Sequence, residues 1–135
     1  GLRRGAYVLS DTRPDDATPA LILIATGSEV HLIVAAAHRL GEEGVSVRCV
    51  SMPSWELFEA QSEVYRHSVL PASVTARLAV EAGVPQGWSR YVGDAGDMLG
   101  VDRYGASAPG DTVMAQYGFT VDNVCARARA LLPRE

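Results

Sequence analysis

At 135 residues and 14.4 kDa the chain is the size of a single domain, and size scaling buries about two-thirds of its unfolded surface, enough for a self-standing core. A formal charge of -4 and a pI of about 5.3 give no electrostatic attraction for nucleic acid or an anionic membrane. All 12 basic residues are arginine, which excludes a Schiff-base lysine and a P-loop lysine.

In chain order, residues 1–5 form a short polar lead-in, and Tyr7, Val8 and Leu9 read as a brief strand. Residues 11–19 carry two prolines and three aspartates, the composition of a solvated turn. A link of about nine residues is too short for a helical crossover, so this strand is expected to run antiparallel to the next or to lie at an edge. Residues 20–25, with the apolar run from Ala20 to Ile24, read as a central strand buried on both faces. Thr26, Gly27 and Ser28 then turn the chain into a crossover helix, with Ser28 as N-cap and Glu29 in the first turn. Val30, Ile33, Val34, Ala37 and Leu40 recur at helical spacing until Gly41 and Gly44.

Residues 45–50 are the next strand, parallel to the central one. Ser54 can cap a short turn over 55–58, and a helix over about 61–69 must end before Pro71. Residues 75–81 read as a strand, 88–92 as a short helical turn and 98–101 as a last short strand. Ser107 can cap a helix reaching Gly118, with Pro109 in its first turn. Thr120 can cap the final helix, with Phe119 and Val124 as a hydrophobic staple. Its apolar stripe is Val121, Val124, Cys125, Ala128 and Leu131 or Leu132.

Little in this chain looks like a reaction centre. The turn of Thr26, Gly27 and Ser28 follows a parallel strand and opens a helix, where backbone N–H groups can hold a small anion. A structural turn is the simpler reading, because a dinucleotide fingerprint needs three glycines and an acidic residue after the next strand. His31 and His38 share a helix without metal-ligand spacing, and Asp94, Asp97 and Asp102 do not form a calcium loop. His67, beside Arg66 near a helix end, has an ordinary role. Cys49 and Cys125 read as buried thiols in a reducing compartment. No serine stands in a nucleophile elbow. Trp55, Phe58 and Trp88 sit in short turns, where large apolar groups plug a core or else anchor a partner. No apolar run approaches the roughly 18 residues of a membrane span and no signal-peptide pattern opens the sequence. A soluble, cytoplasmic protein with neither a nucleic-acid nor a membrane partner is expected.

Several strings carry a resemblance: Ala25-Thr26-Gly27-Ser28-Glu29-Val30, then Val50-Ser51-Met52-Pro53-Ser54-Trp55-Glu56-Leu57-Phe58, Tyr65-Arg66 through Val69-Leu70-Pro71, and Ala79-Val80-Glu81-Ala82-Gly83. Asp102-Arg103-Tyr104-Gly105-Ala106-Ser107-Ala108-Pro109 and Tyr117-Gly118-Phe119-Thr120-Val121-Asp122-Asn123-Val124 complete the order. Together they resemble the C-terminal domain of transketolase over nearly the whole chain. The resemblance implies an α/β fold of three layers, α/β/α, around a mixed, mostly parallel five-stranded sheet with one antiparallel strand. It also implies a single domain over 1–135.

The family moves a two-carbon ketol unit between sugar phosphates in the pentose phosphate pathway. It uses thiamine diphosphate and a divalent cation, Mg²⁺ or Ca²⁺, held by other domains of a homodimer. By that resemblance this chain holds no catalytic, cofactor or metal residue, is inactive alone, and supports the dimer with the remaining domains and a second subunit. The alternative is a free-standing regulatory or anion-binding module using Thr26, Gly27 and Ser28. A third reading is a purely structural dimerisation domain with Trp55, Phe58 and Trp88 as contacts.

Overall fold

The computed structural model describes residues 4–13, 18–81, 88–100 and 119–132. Its centre is β2 (Leu21–Ala25), where all five residues are buried. β2 pairs in parallel with β3 (Val47–Ser51) on one side and β4 (Arg77–Glu81) on the other, in register Leu23 to Cys49 and Leu23 to Leu78. Helical crossovers cover both faces of such a central parallel strand, which is why its sequence is an unbroken apolar run. β1 (Tyr7–Asp11) closes one edge antiparallel to β3, and β5 (Asp97–Gly100) adds to β4 in parallel, giving the order β1-β3-β2-β4-β5. The mixed five-stranded sheet with one antiparallel strand is therefore as expected. The β1 register slips between Val8 and Ser10, and such a bulge twists an edge strand away from further pairing.

The period of two along β2 divides the core. Leu21, Leu23 and Ala25 face one cluster with Cys49, Leu78 and Val80, whereas Ile22 and Ile24 face another with Val50 and Ala79. The first cluster is covered by α1 (Val30–Glu42) and by α5 (Val121–Leu131). α1 contributes Leu32, Ile33, Ala36, Ala37 and Leu40, and α5 contributes Val124, Cys125 and Ala128. The second is covered by α2 (Trp55–Glu59), α3 (Glu63–Val69) and α4 (Ser89–Val92). These are the three layers.

Ser54 caps α2 by accepting from the Leu57 N–H, and Thr120 caps α5 by accepting from the Asn123 N–H. Phe119 and Val124 are buried in one cluster, as a staple requires. The start of α1 differs from expectation. Residues Gly27–Glu29 form a 3₁₀ turn, α1 begins at Val30, and neither N-cap residue, Thr26 or Glu29, makes a side-chain capping hydrogen bond. Gly27 at φ +60° allows this tighter entry, which displaces the cap assigned to Ser28. Gly41 also lies inside α1, and the chain leaves the helix at Gly44 with φ +91°. The 61–69 helix begins two residues later than expected, at Glu63, because Ser62 caps it by accepting from the Tyr65 N–H. The helix expected from Ser107 to Gly118 lies outside the described residues.

Candidate functional site

In a parallel sheet the carboxyl ends of the strands gather the loops that can carry chemistry, above all where successive connections leave in opposite directions. Here that point lies beside β2, with β3 on one side and β4 on the other. Thr26 and Gly27 leave the end of β2 at this position, half-buried and exposed respectively, and space is open around Gly27. The Ser28 side chain lies outside the description.

Among the described residues the buried polar or charged side chains are Glu29 and Ser51, 4% and 6% exposed, and both belong to this edge. Ser51 ends β3, paired with Ala25 on one side and Tyr7 on the other. Glu29 has partners of its own. It sets a carboxylate at the start of α1, where the positive end of the helix dipole is met from within the chain. The anion reading of Thr26, Gly27 and Ser28 thus rests on backbone geometry alone. Glu29 was legible as a first-turn acid, but nothing in the sequence marked it or Ser51 as buried.

The edge is knitted by main-chain bonds. Met52 N–H donates to the Ala25 carbonyl at 3.0 Å, and Ser54 N–H donates to the Gly5 carbonyl at 3.0 Å. Gly5, at φ +82°, packs so closely that a Cβ there would stand 2.2 Å from the Ser54 oxygen and 2.3 Å from the Phe58 nitrogen. The Tyr65 hydroxyl donates to the Ala6 carbonyl at 2.8 Å, and Arg4 lies 4.6 Å above the Tyr65 ring.

Trp55, Phe58 and Trp88 come together, and Tyr91 stands among them. Trp55 meets Trp88 edge-on at 5.0 Å, while Tyr91 lies 5.6 Å from Trp55, 6.1 Å from Phe58 and 6.3 Å from Trp88. Phe58 and Trp88 are each 2% exposed, which places them in the core, and Trp55 remains half-buried at its margin. Sequence reasoning missed Tyr91 as the hub. Its place three residues after Trp88, on one face of a helical turn, was the available signal.

The remaining candidates stay apart. His31, His38 and His67 are exposed, and His38 faces Glu42 at 3.5 Å. Cys49 and Cys125 are free and buried, their thiols directed at the Ile33 and Ala36 carbonyls. Burial pushes the Cys49 thiol up to about 11 and raises Cys125 as well. Asp97 holds the Met98 N–H at 2.8 Å, Asp94 is exposed, and Asp102 lies outside the described residues. Among the described residues no three of His, Cys, Asp and Glu stand where they could hold a metal ion. A diphosphate cofactor with its cation needs such carboxylate or carbonyl donors. At the carboxyl edge the described residues offer one buried carboxylate, Glu29, which already has a partner within the chain.

Residues 5–120 match the family model described as the transketolase-like TK C-terminal domain. The chain is 55% identical over 132 residues to the transketolase of Geobacillus stearothermophilus, covering 98% of this chain and 20% of that protein. It is 53% identical over 132 residues to the transketolase of Halalkalibacterium halodurans, with 98% and 19% covered. Among solved structures, transketolase from Leishmania mexicana superposes with a TM-score of 0.84 at 42% identity, over 97% of this chain and 18% of that one. The chain thus spans about a fifth of the length of the relatives it matches.

Proposed function

The chain belongs to the family of transketolase C-terminal domains, and from that premise we propose that it serves as the structural, non-catalytic C-terminal domain of a transketolase. The enzyme would transfer a two-carbon ketol unit between sugar phosphates in the cytoplasm, within the pentose phosphate pathway. Thiamine diphosphate and a divalent cation would be held by its remaining domains. What carries this reading is the match over residues 5–120 to the C-terminal-domain model.

The role left to this domain is support: packing against the remaining domains and helping two subunits to associate. Apolar groups suited to such contacts lie on successive helices, Leu57 on α2 at 45% exposure and Val64 on α3 at 82%, and Trp55 at the start of α2 is half-buried. Phe58 and Trp88 would act from beneath, by fixing the position of Trp55. No helix among the described residues is long and apolar enough to cross a membrane.

The test is calorimetric. Thiamine diphosphate with Mg²⁺ or Ca²⁺, titrated into the isolated chain, should give no binding heat, and the chain should not turn over sugar phosphates. Tight cofactor binding by this chain alone would overturn the reading. In the full-length enzyme, Leu57→Asp with Val64→Asp should weaken the assembly seen by sedimentation without unfolding this domain.

A further inference from the structure

At the opposite edge of the sheet, where β4 begins at Arg77, a hollow of about 240 Å³ is lined by Glu59, Arg66, His67, Arg77, Arg90 and Tyr91, among others. A second hollow of about 280 Å³ adjoins it through Arg77 and Arg90. Three guanidinium groups line the first hollow against one carboxylate, an excess of two positive charges before His67 is counted.

These charges are held without being cancelled. Arg77 donates to the main-chain carbonyls of Val74 at 2.9 Å, Tyr91 at 2.6 Å and Pro71 at 2.8 Å, which fix the group but carry no net charge. Arg66 commits only its Nε, to the Gln61 carbonyl at 3.3 Å, leaving its Nη donors without a partner among the described residues. Arg90 faces Glu59 at 3.7 Å, too far for a hydrogen bond, with its side chain 66% exposed.

Under that loose pair lies Tyr91, 3% exposed, whose hydroxyl is buried without a hydrogen-bond partner. Burial, and then the charge of Glu59, hold this phenol protonated, while Arg90 pulls the other way. Its hydroxyl is therefore a donor set beside both residues that makes no well-formed hydrogen bond to either. Buried donors are rarely left so.

We propose that this hollow binds a small oxyanion of the phosphate class, inorganic phosphate or a phosphate monoester, through Arg66 and Arg90 with the Tyr91 hydroxyl as third donor. The anion displaces Glu59 from Arg90, and a dianion matches the excess charge of the lining. Guanidinium forks suit the oxygens of a tetrahedral phosphate, and Arg77 positions the site by holding its floor. The second hollow gives the organic part of a monoester room beyond Arg90.

The test is thermal unfolding of the chain with inorganic phosphate titrated against sodium chloride at matched ionic strength. Phosphate should raise Tm along a saturating curve that chloride does not reproduce. Arg66→Gln or Arg90→Gln, both on the surface of the hollow, should weaken the apparent affinity by about tenfold or more, and Tyr91→Phe by about tenfold. Glu59→Gln should tighten it. A non-saturating rise shared equally by the wild type and the two arginine variants would be general salt stabilisation, and would overturn the proposal. So would a full-length enzyme that binds no phosphate here because an acidic side chain of another domain occupies Arg66 and Arg90.

Discussion

On one face of the sheet α1 and α5, of 13 and 11 residues, lay aliphatic stripes over Leu21, Leu23, Leu78 and Val80. On the other, α2, α3 and α4, of 5, 7 and 4 residues, gather round Phe58, Trp88 and Tyr91. Helices of one or two turns do not hold themselves, because nucleation costs more than so few bonds return. The short-helix face compensates with anchors from outside each helix. Arg48 donates to the Ser68 and Val69 carbonyls at 2.9 and 3.3 Å at the end of α3. Arg77 takes up the carbonyls of residues 70, 71, 74 and 91.

Arginine on the long-helix face does something else. Arg39 meets Asp122, and Arg129 meets Glu43 at 2.9 Å, along an exposed rim between α1 and α5. One residue type thus closes orphan carbonyls where helices are short, and trims the border where they are long.

The sharpest way to break this comparison is to empty each core. Phe58→Ala should cost about 4 kcal/mol and melt the short-helix face, while Leu40→Ala should cost about 3 kcal/mol. Urea unfolding followed by tryptophan fluorescence, which reports Trp55 and Trp88, reads both. Arg77→Lys comes next, at about 3 kcal/mol in urea unfolding, because an ammonium cannot address the separate carbonyls that the planar fork reaches. If Arg77→Lys costs no more than Arg129→Lys, the distinction between the two uses of arginine collapses.

The alkaline limb probes the aliphatic face. With the Cys49 thiol raised from 9.0 to about 11, the folded state favours the neutral form. Its contribution is complete below pH 9 and is lost as pH rises towards 11, by about 2 kcal/mol. Cys49→Ala should flatten that limb in urea midpoints measured across the range. A smaller effect is expected at the α3 cap, where Ser62→Ala should cost about 1 kcal/mol in the same assay.

Smallest of all is the rim. Arg129→Ala should leave the urea midpoint unchanged at high salt. The hydrogen bond from Arg129 lowers the Glu43 carboxyl below its ordinary value. The pair's contribution is therefore present above the ordinary carboxylate range and fades as pH falls through the lowered value. At low salt the wild type alone should show that slight acid dependence.

The parts of the fold that could be read from sequence share a physical property: their signal is local. The apolar run at β2, the helical spacing of α1 and α5, and the caps Ser54 and Thr120 are decided by neighbours within about four residues. The start of α1 was misplaced because Gly27 enters it at φ +60°, a conformation open to glycine that its neighbours in sequence do not dictate. Trp55, Phe58 and Trp88 were legible as large apolar groups, but not as one cluster centred on Tyr91. Arg77, inside the strand expected over 75–81, carried no local sign of the carbonyls it reaches.

From the chain alone came the layered α/β class, the buried middle strand, the antiparallel or edge position of β1 and the family resemblance, because periodicity, turn chemistry and motif order are written along the backbone. Tertiary structure alone decided that Glu29 and Ser51 are buried at the carboxyl edge, that Arg77 closes carbonyls from both the turn after α3 and the end of α4, and that Arg66, Arg90 and Tyr91 share a hollow. Each of these depends on residues distant in sequence being brought within a few ångströms, and no local pattern encodes such a meeting.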